Sequence, residues 1–192
     1  MGKSYLSLGV FNLINFTKPK FNVFDDCYPK VVEVKSSTEN YGISYGTGTI
    51  IDDDLSILTN SHVVSYTKAN EYFYFEKIEI RFTYKDSFEQ CEIIKNDKNK
   101  DLAILKLKYK EDKDRNHFFE IKQIEFNPSD TVYAIGNSLN NGISITKGII
   151  TMPSFNITYN EILRDVIQAD ITISNGNSGG PLVNESGFFG IY

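Results

Sequence analysis

The sequence predicts an all-β fold. Apolar and polar residues alternate through run after run, and turns rich in Asp, Asn, Gly and Lys separate those runs. Helical periods of 3.6 residues are scarce. Strands in that number and spacing build barrels or sandwiches. The size agrees: 192 residues, 41% hydrophobic and 14% aromatic, can bury a core as one large or two small domains.

Taken in order, residues 1–27 read as an N-terminal extension with a short helix that docks on the body. Val31, Val32 and Val34 open the first strand. Ile43–Ile51 and Leu55–Thr59 read as a hairpin closed by Asp52, Asp53 and Asp54, whose side chains favour turns. That triple aspartate lacks the later ligands and the glycine of a calcium loop. Ser61 is placed to cap a short helical turn carrying His62 and Val63. Tyr72–Phe75 reads as aromatic loop packing. Ile78, Ile80, Phe82 and Tyr84 share one face of a strand with period two. Gln90–Lys95 and Leu102–Lys108 complete a first unit, 28–110. Residues 111–117 are the linker. Ile121–Phe126, Thr131–Ile135, Ile143–Thr151 and Asp165–Asp170 are the strands expected in a second unit, 118–192. No internal repeat stands out.

A net charge of −5 argues against nucleic acid as the main partner, because phosphate binding needs a basic face. The lysines between Lys95 and Lys113 are interleaved with acids and read as solvated. Cys27 and Cys91 carry no motif that pairs them, and free thiols suit a reducing compartment. Two cysteines and two distant histidines show no ligand spacing, so neither a metal nor a cofactor is expected. No apolar run approaches the length of a membrane span. Tyr5–Phe16 faintly resembles a signal peptide, but Asn12 and Asn15 interrupt it and no cleavage site follows. A cytoplasmic setting is therefore expected, with secretion as the alternative. Leu6 breaks a myristoylation pattern, and Gly2-Lys3-Ser4 lacks the glycine turn of a phosphate loop.

The chemistry concentrates in Gly176-Asn177-Ser178-Gly179-Gly180-Pro181. A serine hydroxyl needs a base to take its proton and donors to hold the oxyanion. Flanking glycines let the backbone bend so that N–H groups converge and the hydroxyl stays open. His62 follows an apolar strand-like stretch and is the candidate base, whereas His117, in a charged run, reads as structural or exposed. Asp101 stands at the mouth of an alternating apolar strand. There it can accept the imidazole Nδ1–H and fix its tautomer. Asp97 is the nearby competitor, in a polar loop.

Four blocks in order resemble the trypsin-like (chymotrypsin-fold) serine peptidases, most of all the HtrA/Deg-like bacterial branch. They are Gly46–Ile51 with Ile57–Val64, Asp101–Lys106, Ala134–Ser138 with Ile145–Ile150, and Ile167–Asp170 through Asn184. The resemblance implies two six-stranded antiparallel β-barrels. It implies a catalytic triad of His62, Asp101 and Ser178 and an oxyanion hole from the N–H groups of Gly176 and Ser178. It also implies a peptide or protein substrate. Thr172, six residues before the serine, falls at the base of the substrate pocket. Being neutral, it favours a small or apolar residue beside the cut over Arg or Lys.

Two departures modify that expectation. Asn177 stands where the digestive branch has an aspartate that pairs with a freshly cut N-terminus. Control by loop ordering, through regulatory domains or partners beyond this chain, is expected instead of activation by clipping. Secondly, the family continues past the strand at Phe188–Tyr192 into the segment that walls the pocket. The second barrel is thus expected to be incomplete, and the sequence a piece of a longer protein. The leading function is a serine endopeptidase. The alternatives are a non-catalytic module that binds peptides or partners on the same fold, or an esterase.

Overall fold

Short runs of β-branched and aromatic residues, each closed by a polar turn, become the strands of a computed structural model that describes residues 20–109, 117–159 and 162–192. Most of the expected N-terminal extension (1–19), residue 110 and nearly all of the linker (111–116) lie outside the described residues.

The chain enters through a short helix, α1 (Val23–Cys27), capped by the Asn22 side chain, which accepts from the Phe24 N–H. Next come β1 (Val31–Thr38), β2 (Gly42–Ile50) and β3 (Ile57–Thr59). A helical turn, α2 (Ser61–Val64), leads to a separate hairpin of β4 (Ser65–Lys68) and β5 (Glu71–Tyr74). The strands β6 (Lys77–Phe82), β7 (Glu89–Asp97) and β8 (Leu102–Leu107) follow. Six of these strands close into a barrel in the order β1-β2-β3-β8-β7-β6. Period two does the sorting: Ile78, Ile80 and Phe82 point inward from β6 and meet Val32, Val34, Ile57 and Leu105 in the barrel core.

The second unit is a five-stranded antiparallel sheet, β11-β10-β9-β12-β13. Its strands are β9 (Thr131–Asn137), β10 (Ile143–Tyr159), β11 (Ile162–Asp170), β12 (Pro181–Asn184) and β13 (Gly187–Ile191). This sheet is open where the first one is closed, the incomplete second barrel expected from the sequence. Its core gathers Val31, Cys27, Phe119, Ile135, Val183 and Phe188, so α1 and the start of β1 serve the second unit as well as the first.

Two buried threonines stitch the units together, and a third braces them from within the first. Thr47 donates its hydroxyl to the Gly176 carbonyl at 2.8 Å, and Thr49 donates to the Gly179 carbonyl at 3.0 Å. Thr59 donates to the Thr47 carbonyl at 2.7 Å.

Some local expectations change. Ile121–Phe126 forms no strand: apolar alternation is present, but among the described residues the segment packs through side chains, Phe126 against Phe189, without joining a sheet, and Ile121 is exposed. Ser61 does not cap the helical turn. Asn60 is the cap residue, and the Ser61 hydroxyl bonds the Tyr72 phenol at 2.8 Å instead. Tyr72–Tyr74 lies in strand β5 rather than in a loop. Tyr84 lies past the end of β6, in the turn that follows, and is exposed. The Asp52–Asp54 turn forms as read, with Asp52 Oδ1 accepting from the Asp54 and Ser56 N–H groups.

Candidate active site

His62 sits on α2, and its neighbours fix that turn. Val63 and Val64 are buried in the barrel core, and the Ser65 hydroxyl donates to the Ser61 carbonyl at 2.6 Å. Facing it, the turn after β7 delivers Asp101 in the left-handed region, φ +57°, which Asp tolerates better than most residues. Asn60 Nδ2 holds the Asp101 carbonyl at 3.0 Å.

The carboxylate and the imidazole meet. His62 Nδ1 lies 2.7 Å from Asp101 Oδ2, and Oδ1 accepts the His62 backbone N–H at 2.9 Å. Both carboxylate oxygens are thereby committed to one residue. The imidazole stays open to solvent, with 57% of its side chain exposed against 23% for Asp101. An Nδ1–H held by a carboxylate leaves Nε2 as the free acceptor. Asp97, the competitor, is used locally: its Oδ1 accepts the Lys100 N–H at 3.0 Å. His117 is exposed, as read.

Ser178 is presented by the loop between β11 and β12. Its carbonyl accepts the Thr47 N–H at 2.8 Å. A Cβ on Gly46 would meet both that carbonyl, at 3.1 Å, and the Val63 side chain, so the serine loop and the histidine turn converge on one point of β2. Two glycines make the loop possible. Gly176 (φ +91°) and Gly179 (φ +89°) adopt left-handed conformations, and a Cβ on either would lie about 2 Å from a carbonyl oxygen, of Asn137 and Thr47 respectively. Among the described residues the Ser178 hydroxyl has no hydrogen-bond partner.

The peptide planes of that loop are pinned from two sides. The Leu139 N–H donates to the Asn175 carbonyl at 2.7 Å, and the Asn177 N–H donates to the Ser174 carbonyl at 3.1 Å. Thr47 holds the Gly176 carbonyl and also accepts the Asn137 N–H at 2.9 Å. Asn137 Nδ2 reaches Glu33 at 3.2 Å, and Glu33 forms a bidentate pair with Arg81. Sequence reasoning missed this chain from Arg81 through Glu33, Asn137 and Thr47 to Gly176. The polar residues Glu33 and Thr47 inside otherwise apolar strands were the only signal for it.

Beneath the loop, the Asn177 Oδ1 and Tyr192 hydroxyl are buried without hydrogen-bond partners among the described residues, and burial pushes the Tyr192 phenol well above its usual range. Thr172 is exposed, and its carbonyl accepts the Thr146 hydroxyl at 3.0 Å. Its neighbours Ile171 and Ile173, not Thr172 itself, line an apolar cavity of about 520 Å³ with Leu182, Phe189 and Tyr192. Among the described residues no cluster of His, Cys, Asp and Glu suited to a metal ion occurs.

The profile of the trypsin-like peptidase domain matches residues 46–189, which takes in His62, Asp101 and Ser178. The chain belongs to the trypsin-like peptidase family. Within that family it stands with the HtrA/Deg branch. It is 34% identical over 152 residues to a probable periplasmic serine endoprotease, DegP-like, of Rickettsia conorii, covering 74% of this chain and 26% of the relative. It is 32% identical over 146 residues to serine endoprotease DegS of Haemophilus influenzae, covering 74% of this chain and 38% of that one. This trypsin-like chain thus spans well under half the length of those relatives. Among solved structures, a serine endoprotease from Yersinia pestis superposes with a TM-score of 0.64 at 30% identity, covering 84% of this chain and 52% of the other. The active form of the Rv3671c protease from M. tuberculosis gives 0.70 at 19% identity, covering 88% and 78%; at that identity the likeness concerns the fold.

Proposed function

We propose that the chain is the catalytic part of a serine endopeptidase, with Ser178 as nucleophile, His62 as general base and acid, and Asp101 as the group that orients it. The 2.7 Å contact between His62 Nδ1 and Asp101 Oδ2 carries this reading. It sets the tautomer in which Nε2 can take a proton, and it stabilises the imidazolium that results. Ser178 Oγ attacks the carbonyl carbon of a peptide bond while its proton passes to Nε2. The tetrahedral oxyanion is held by the N–H groups of Gly176 and Ser178, and collapse returns the proton to the leaving amine. Water then repeats the sequence on the acyl-enzyme. In unliganded sites the serine–imidazole hydrogen bond is often long and tightens when substrate arrives.

The apolar cavity next to Thr172 supports a small or apolar side chain beside the scissile bond. Among the described residues no helix is long and apolar enough to cross a membrane. The cytoplasmic setting expected from the sequence finds no support among the relatives, of which the Rickettsia protein is named periplasmic, so the reading favours a periplasmic or secreted enzyme. A folded Ser178→Ala variant is expected to lose labelling by a fluorophosphonate probe and all measurable peptide hydrolysis. Wild-type protein that neither labels at Ser178 nor cleaves peptides would replace the reading with the binding module. Preference for esters over peptides would replace it with the esterase.

A further inference from the structure

We propose that the cleft beside His62 is a subsite for an acidic side chain, and that Lys98 selects a carboxylate on the substrate near the bond to be cut. This rests on the peptidase reading above and adds a substrate class to it.

A cavity of about 230 Å³ opens against the imidazole, lined by His62, Asp101, Ser61, Tyr66, Tyr72 and Lys98. Its one carboxylate is occupied, because both Asp101 oxygens face His62. Its one lysine is not: among the described residues no carboxylate pairs with Lys98. The ammonium lies 4.6 Å above the Tyr72 ring, a cation–π contact that stations the charge over the cleft without neutralising it. Tyr72 is itself fixed, accepting from Asn96 Nδ2 at 2.9 Å and sharing a 2.8 Å hydrogen bond with Ser61.

The backbone under Lys98 belongs to the same turn as Asp101. The Asp101 N–H donates to the Lys98 carbonyl at 3.3 Å, and Arg164 from β11 donates to the Asn99 and Lys100 carbonyls. The cation is therefore placed with respect to His62 by the turn that places the catalytic carboxylate. A peptide laid across His62 puts a neighbouring side chain into this cleft. A carboxylate there gains a partner, a neutral residue leaves Lys98 solvated, and a lysine meets like charge.

The test uses quenched fluorescent peptides of one parent sequence, carrying Asp, Gln or Lys in turn at each position flanking the cut. At one position Asp is expected to exceed Lys by about two- to fivefold in kcat/KM, the range that partly exposed ion pairs supply. That ratio is expected to shrink as ionic strength rises. It should collapse toward one in Lys98→Met, invert in Lys98→Glu and persist in Lys100→Met. Binding of the same sequences, carrying one fluorophore and no quencher, to Ser178→Ala, followed by fluorescence anisotropy, reports the same ratio without turnover. Loss of Ser178 labelling with the binding ratio intact would remove the peptidase reading and leave the subsite. Equal ratios in wild type and Lys98→Met, or no charge preference at any position, would overturn the subsite itself.

Discussion

The Thr47 hydroxyl accepts the Asn137 N–H and donates to the Gly176 carbonyl, so one oxygen couples β9 to the loop that carries Ser178. A Thr47→Val substitution keeps the shape and removes both hydrogen bonds. It frees the Gly176–Asn177 peptide, which lies between the two proposed oxyanion donors, and misplaced donors are costly. We expect kcat to fall about 10–10²-fold with KM little changed, and Thr47→Ser to recover most of the loss. Steady-state kinetics on one peptide separates this from a general loss of folding. At Asp101 the expectation is larger. Asp101→Asn presents an amide to Nδ1 and favours the wrong tautomer, so turnover should drop about 10⁴-fold while thermal stability stays near the parent value. Near-parental turnover in Asp101→Asn would remove the carboxylate from the mechanism.

Elements convert these residues into a site, and β6 shows how. Ile80 is fully buried among barrel side chains. Ile80→Ala is expected to cost about 2–5 kcal/mol in urea denaturation, through lost burial and the cavity left behind. The specific activity of the folded fraction should be unchanged, since Ile80 packs in the barrel core and makes no hydrogen bond to any of the three proposed catalytic side chains. Most barrel strands were legible because a half-buried strand writes its period into the sequence, as Ile78, Ile80 and Phe82 do. Ile121–Phe126 has similar alternation but joins no sheet among the described residues, and pairing is a property of the whole fold. The triad candidates were legible because a chain with two histidines leaves little choice and because glycines bracket Ser178. The Arg81–Glu33–Asn137–Thr47 relay was not. Its members are separated by long stretches of chain, and each alone reads as an ordinary strand residue. Tyr72 was hidden differently: its ring looked like packing, whereas its hydroxyl organises the turn next to His62.

At the scale of the molecule, Cys27 and Cys91 belong to different cores, one in the second unit and one inside the closed barrel. Burial pushes their thiols from an ordinary 9.0 up to about 11 and about 12. Both shifts have the same sign. Below pH 9 the thiols are neutral, folded or unfolded, and this stabilisation is fully present. As pH rises from 9 toward 11 and 12 the unfolded chain loses thiol protons that the folded chain keeps, so stability declines. Urea midpoints measured across that window should fall, and less steeply in Cys91→Ala than in the parent. A midpoint indifferent to alkaline pH would show that the sulfurs are not sealed. Sealed in this way, they are also out of reach of oxidants and of one another. The fold therefore asks nothing of the electron balance around it, and the same polypeptide can hold its shape whether it works beside glutathione or in open water outside the cell.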